Sequence, residues 1–211
     1  FLTPTGDYRY LEGQVIDNKL HLSVVDGNHT YLFTAEKKSA TELKGTWWSG
    51  RSWKQDWLAK LDLNASLPDA NTLTGMKSGI ENFEFSFPDQ DRKTVSSTDE
   101  NFRDKVVIVQ LLGTWCPNCM DETKFLTDWY SKNRSRGVEV VGLAFEAKDD
   151  FTYAAERVKK MKKKLAVAYP VLIAGNKDKK KASEALPMLS EVVAFPTLIF
   201  VDKTGKVKKI Q

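Results

Sequence analysis

The chain has 211 residues, a length that fits one or two domains. Hydrophobic residues at 41% and charged residues at 28% exclude a disordered tail, and a net charge of +4 excludes a dedicated nucleic-acid binder. No apolar run approaches the ~18 residues that span a bilayer, and the opening Phe1-Leu2-Thr3-Pro4-Thr5-Gly6 lacks the basic and apolar regions of a signal peptide, so a targeting segment or membrane anchor is expected only outside this chain.

Residues 1–75 alternate short strand-like runs with turn signals. Runs at 8–16, 20–25, 31–35, 43–48 and 53–61 are separated by turns such as Asp17-Asn18-Lys19 and Asp26-Gly27-Asn28. Such short connections predict an antiparallel β-meander. Trp47, Trp48, Trp53 and Trp57 fall in this half. They read either as the core of a small β domain or as a platform for a peptide or glycan. Residues 64–80 are polar, with Pro68, Gly75 and Gly79, and read as a linker. The expected division is therefore 1–75, an antiparallel β domain for client docking or ligand binding, and 76–211, a second domain.

Beyond the linker the pattern becomes strand-helix-strand. Residues 106–112, Val-Val-Ile-Val-Gln-Leu-Leu, form a nearly continuous apolar run, as in a strand buried on both faces. A helix is predicted over 116–133, closed by Gly137, then a buried strand over 138–145 and a helix over 149–165. Shorter elements follow: an apolar strand at 171–173, a helical turn or two within 183–189, and a strand over 197–201. The turn Asp202-Lys203-Thr204-Gly205 leads into an antiparallel partner over 206–210. The fold class is thus α/β, a sheet with helices and a closing hairpin. Residues 154–181 carry ten basic and two acidic side chains. With Val158, Met161 and Leu165 as a buried stripe, the lysines read as a solvated face, or alternatively as a surface for an anionic membrane or acidic partner.

There are only two cysteines, Cys116 and Cys119. One pair makes no disulfide framework, and with His21 and His29 far upstream it offers no four-ligand zinc site. In Gly113-Thr114-Trp115-Cys116-Pro117-Asn118-Cys119 the pair follows a buried strand and opens a helix. A thiol there meets unpaired backbone N–H groups and the positive end of the helix dipole, which favour thiolate. Cys116 is the expected attacking, more exposed thiol, and Cys119, one turn deeper, the resolving one. Pro117 suits the first helical turn. The competing reading is a structural disulfide, but a four-residue loop yields only about 2 kcal/mol. Glu122 shares a helix face with Cys119, continued by Leu126 and Trp129. Buried there, it would have a raised pKa and could accept the Cys119 proton; otherwise it is exposed or pairs with Lys124. Trp115 reads either as a client-facing ring or as packing at the sheet edge.

These motifs, with Phe195-Pro196-Thr197 and Asp202-Lys203-Thr204-Gly205-Lys206-Val207, resemble the thioredoxin superfamily, and within it the TlpA/ResA-like extracytoplasmic thiol–disulfide oxidoreductases. The resemblance spans residues 80–211. It implies a thioredoxin-like domain, a central mixed sheet flanked by helices, preceded by the small antiparallel β domain. It implies a cis Phe195–Pro196 bond packed against the Cys116 sulfur, with Phe195 backbone offering an edge to an extended client segment. Glu122 occupies the C-x-x-C-x-x-E position that ResA-like proteins carry. Many thioredoxins have a buried Asp six residues before the first Cys; here Gln110 stands there and cannot titrate. The superfamily pattern also ends in a helix after the closing hairpin, so a chain stopping at Gln211 is expected to be C-terminally truncated, less stable or self-associating.

The resemblance implies a protein disulfide oxidoreductase, leaning towards reductase, that forms a mixed disulfide with clients. Expected site residues are Cys116, Cys119 and Glu122 for catalysis, and Trp115, Pro117, Phe195 and Pro196 for the client. No cofactor or metal is expected. Expected partners are a client with a disulfide or dithiol and a redox partner that supplies or removes electrons; the location is the bacterial periplasm or outer face of a membrane. Three rivals stand beside it. A non-catalytic binding module on this scaffold is the first. A copper chaperone would carry C-x-x-x-C and a downstream His, and a peroxidase would carry Pro and Thr ahead of its Cys; neither pattern is present.

Overall fold

The computed structural model describes residues 1–3, 6–25, 30–51 and 53–211. The chain falls into two compact units, Phe1–Pro68 and Asp69–Gln211. In the first, β1 (Leu2–Thr3) pairs with β2 (Gly6–Asp7), and five strands follow: β3 (Glu12–Ile16), β4 (Lys19–Val25), β5 (Thr30–Lys37), β6 (Glu42–Ser49) and β7 (Trp53–Lys60). The five form an antiparallel sheet in sequence order. Asp17 and Asn18 both take positive φ, 47° and 61°, the conformation a tight two-residue hairpin needs, and this sets the Ile16↔Lys19 register. The turn expected at Asp26-Gly27-Asn28 lies outside the described residues. Phe33 is buried among the rings of Phe1, Tyr8, Trp47 and Trp57, at centroid separations of 4.9–6.4 Å. Trp48 instead carries Lys54 over its ring, and Trp53 is exposed. Alternation along β6 thus sends Trp47 and Trp48 to opposite faces, and Trp47 and Trp57 join the Phe33 ring cluster.

The segment expected as a linker is largely folded. Asp69 caps a 3₁₀ turn, Ala70–Thr72, by accepting from Asn71 N at 2.9 Å. Thr74 is buried, Ser190 N donates to Gly75 O at 2.7 Å, and Lys77 N donates to Met188 O at 2.9 Å. The division therefore falls at 68/69, ahead of the expected 75/76. The polar composition that reads as a tether reflects backbone pairing, which needs no apolar side chains.

The second unit holds β8 (Ser86–Pro88), β9 (Thr94–Ser96), β10 (Val106–Leu112), α1 (Pro117–Asn133), β11 (Val138–Glu146), α2 (Phe151–Leu165), β12 (Val171–Asn176), α3 (Lys179–Ala185), β13 (Thr197–Val201) and β14 (Val207–Ile210). The sheet order is β12-β11-β10-β13-β14. β10, β11 and β12 are parallel, and β13 runs antiparallel to both β10 and β14. Successive side chains of β10 point to opposite faces. Val107, Val109 and Leu111 pack with Leu143, Phe145 and the α3 side, whereas Ile108 and Leu112 pack with Val140, Ala144, α1 and α2. Burial on both faces is why the run reads as unbroken apolar sequence, and each fully buried Leu or Val contributes about 1.5–3 kcal/mol.

Caps fix the helices. Asp150 Oδ1 accepts from Tyr153 N at 3.1 Å to start α2, and Asp178 Oδ1 accepts from Lys181 N at 2.9 Å to start α3. The third helix therefore begins before the expected 183, and it ends at Ala185, ahead of Pro187. After α1, a 3₁₀ turn leads to Gly137, whose φ of 79° turns the chain into β11. The buried side of α2 is Ala154, Ala155, Val158 and Met161, and the expected Leu165 is only partly buried against it. Lys162 leaves the solvated face: it is half-buried and donates to Tyr169 O at 3.1 Å. No helix among the described residues is long and apolar enough to cross a membrane.

Candidate active site

The C-terminal ends of parallel strands lie where α1 begins, so the β10–α1 connection places its cysteines at that rim. Cys116 is the N-cap of α1 and Pro117 its first residue. Cys119 N donates to Cys116 Sγ at 3.2 Å, so the sulfur occupies the capping position that a Ser or Asp oxygen commonly fills. Both cysteines are free. Cys116 is 6% exposed and Cys119 0%. The expected attacking thiol is the more accessible of the pair, yet both are buried. Cys116 Sγ turns inward toward Cys119 N and lies 3.6 Å from Phe195 O, with Trp115 and Phe195 packed against the same core.

The two sulfurs titrate apart. The hydrogen bond from the Cys119 thiol pulls the Cys116 thiol below its ordinary value, and the backbone N–H groups of Cys119 and Asn118 add to this against burial and the Glu122 charge. Cys119 is driven upward by that same hydrogen bond, by burial and by the Cys116 charge. The arrangement gives one ionisable sulfur and one that keeps its proton.

Glu122 is half-buried, and burial raises its pKa. It makes no ion pair with Lys124 among the described residues; its partner is Gln110, whose Nε2 donates to Glu122 Oε2 at 2.8 Å. Gln110 is fully buried and accepts from Thr123 Oγ1 at 3.1 Å, while that hydroxyl also reaches Cys119 O at 2.7 Å. A non-titrating amide thus holds the carboxyl whose charge pushes both thiols up.

Phe195–Pro196 is a cis bond. Phe195 meets the Trp115 ring edge-on at 6.0 Å and the Phe145 ring at 5.5 Å. Trp115 is partly exposed, with Nε1 donating to Phe145 O at 2.9 Å and Lys177 Nζ 5.6 Å from the ring centre. Pro117 is exposed and Pro196 half-buried. Trp115 and Phe195 thus lie beside Cys116, Pro117 and Pro196 follow Cys116 and Phe195 in the chain, and Glu122 sits further along α1 against Gln110.

One buried group was not legible in the sequence. Glu146, the last residue of β11, is fully buried and accepts from Thr114 N at 2.9 Å and Thr114 Oγ1 at 2.8 Å. Arg157 Nε donates to the same hydroxyl at 3.3 Å. A glutamate closing an apolar strand reads as its solvent-exposed end; only the parallel register of β10 and β11, with Leu112 opposite Ala144, sets it beside Thr114.

Residues 65–211 match the Redoxin family. The chain belongs to that family. Among curated proteins it is similar to the thiol-disulfide oxidoreductase ResA of Bacillus thuringiensis subsp. konkukian, 30% identical over 132 residues, covering 63% of this chain and 68% of ResA. Among solved structures it is similar to a thioredoxin-family thiol:disulfide interchange protein from Chlorobium tepidum, 25% identical with a TM-score of 0.50, covering 62% of this chain and 83% of that one. The thioredoxin domain of a thiol-disulfide oxidoreductase from Bacteroides vulgatus, 22% identical with a TM-score of 0.51 and covering 65% and 89%, shares the fold. This Redoxin-family chain is a thiol–disulfide oxidoreductase with a TlpA/ResA-like thioredoxin fold.

Proposed function

We propose that Cys116 attacks a client disulfide and Cys119 resolves the product. The observation that supports this most is the Cys116 sulfur seated on the first turn of α1, accepting from Cys119 N and lying beside Phe195 O. The Cys116 thiolate bonds to one client sulfur as the client S–S bond breaks, and the other client sulfur leaves as thiolate and takes a proton. Cys119 then attacks Cys116 Sγ and passes its proton to Glu122. The mixed disulfide breaks, the client leaves as a dithiol, and Cys116–Cys119 is left oxidised. A redox partner returns two electrons. Trp115, Pro117, Phe195 and Pro196 frame the client, which lies along the Phe195 backbone.

The reductase direction is supported by Glu122. Its charge opposes ionisation of both sulfurs, and a less stabilised thiolate makes the dithiol a better electron donor. An extracytoplasmic location is supported by the chain's single cysteine pair, which has no other cysteine of its own to mispair with in an oxidising compartment. For the N-terminal unit, a cavity of about 950 Å³ bordered by Phe1, Tyr8, Phe33, Trp47 and Trp57 supports a docking or ligand-binding role. The test of the central reading is dithiothreitol-driven insulin reduction together with iodoacetamide labelling. Turnover of insulin, and Cys116 alkylating faster at pH 7 than glutathione does, are expected. A Cys116 no more reactive than glutathione overturns it.

Glu122 gives this reading a pH signature. Glu122→Gln removes a like charge, so the midpoint of Cys116 alkylation is expected to move to lower pH. The second step, monitored by stopped-flow resolution of a mixed disulfide, slows because the proton acceptor is gone. Stability carries the opposite sign from most carboxylates. Because burial raises the folded pKa of Glu122, its contribution is present below the unfolded value and is lost as pH rises through the folded one. Glu122→Gln should therefore match the parent protein in acid and exceed it at neutral pH. Urea midpoints that run parallel across pH would contradict this.

A further inference from the structure

Two consecutive residues of β11 grip two consecutive residues ahead of Cys116. Phe145 O accepts from Trp115 Nε1 at 2.9 Å, and Glu146 takes both the backbone N–H and the hydroxyl of Thr114. The chain between these contacts and the sulfur is one tight turn, closed by Cys116 N donating to Gly113 O at 3.0 Å. Gly113 is held so closely that a Cβ there would lie 2.8 Å from Phe145 O. The capping position of the sulfur is thus set by the end of a neighbouring strand as well as by α1.

We propose that Glu146 is a positioning residue for Cys116. Its carboxyl group sits fully buried under the turn and fixes Thr114, so that Cys116 Sγ is delivered to the N–H groups of the first helical turn. The role is geometric: the carboxyl supplies two acceptors to one residue, and no proton is transferred. Without them the backbone N–H of Thr114 would be left unpaired in the interior, and the turn would relax to pair it elsewhere. The sulfur would then lose the alignment that makes it acidic. The inference rests on Cys116 being the attacking thiol.

The experiment follows Cys116 alkylation by iodoacetamide against pH, with a urea titration in parallel, in Glu146→Leu, Glu146→Gln and Thr114→Val. Glu146→Leu removes both acceptors. Its rate constant at pH 7 is expected to fall about tenfold, and the midpoint to rise by about one pH unit. Glu146→Gln keeps an acceptor for Thr114 N, while its amide can donate to the hydroxyl, so it should lie within about twofold of the parent at pH 7. Thr114→Val retains the backbone contact alone and should fall between them. If Glu146→Leu does not fold, Thr114→Val decides: a rise in its midpoint supports the proposal. Unchanged pH profiles in the folded variants, even with lowered urea midpoints, overturn it and leave Glu146 a stabilising residue only. A parent protein whose Cys116 reacts no faster than glutathione sinks the underlying assignment instead.

Discussion

Cys119→Ser is expected to accumulate a stoichiometric covalent adduct with a disulfide-containing client, and Cys116→Ser to form none. Removing either sulfur should reduce insulin turnover to the dithiothreitol background, because each acts in a separate half of one exchange. The double variant should then be no worse than either single one, as found for groups that work as a unit. The proposed order of attack rests on the difference between the two sulfurs. Cys116 is the sulfur whose ionisation is eased and which, though buried, keeps 6% exposure, while Cys119 is fully sealed and keeps its proton. Non-reducing electrophoresis after mixing each variant with oxidised client reads the outcome directly. An adduct on Cys116→Ser and none on Cys119→Ser would reverse the assignment.

Gly113→Ala should damage both stability and chemistry. A methyl group at 113 would lie 2.2 Å from Trp115 Nε1 and 2.8 Å from Phe145 O, the two ends of one hydrogen bond. The indole is held by that bond, and the carbonyl belongs to a fully buried stretch of β11, so neither can yield without breaking the contact. Overpacking and a lost buried hydrogen bond together cost about 2–4 kcal/mol. Displacing Trp115 also shifts the residue next to the sulfur, so alkylation of Cys116 should slow as well. Gly142→Ala provides the comparison: its Cβ would meet Leu112 Cδ2 at 2.9 Å and Val171 methyls at 3.3 Å, side-chain ends that can move. Its urea midpoint should fall by clearly less. Equal losses at 113 and 142 would show that the clamp carries no special weight.

The redox half of the protein was readable because its signals are local. A strand covered on both faces reads as aliphatic sequence broken only at Gln110, and Cys116-Pro117 opens a helix by cap chemistry alone. The Asp17-Asn18 hairpin was equally plain. Other elements carry weaker signals, some because they are short or sparsely buried and some because the deciding partner lies far along the chain. The β8–β9 hairpin had an alternating signal in Phe83, Phe85 and Phe87, but its strands are only three residues long. The start of α3 hid inside a lysine run, because its cap is Asp178 and only Ala182 of its seven residues is buried. Residues 74–77 passed for a tether because they pair through backbone with 188–190. Glu146 belongs with these. Its neighbour Thr114 is 32 residues away, and no periodicity links them. The inward turn of the Cys116 sulfur was likewise invisible, since the covering Phe195 arrives 79 residues later.

That last separation bears on how the protein matures. While the polypeptide is still emerging from a ribosome, Cys116 is available long before Phe195 and the strands that flank β10 have been made. The groups that ease ionisation of its sulfur, Cys119 and the first-turn N–H groups, come with α1, whereas Phe195, which lies over it, comes last. The cover over the sulfur is thus completed with the last strands rather than with the helix that bears the motif. A pulse of thiol-reactive dye during refolding would register this as a late fall in labelling at Cys116 as Phe195 comes over it.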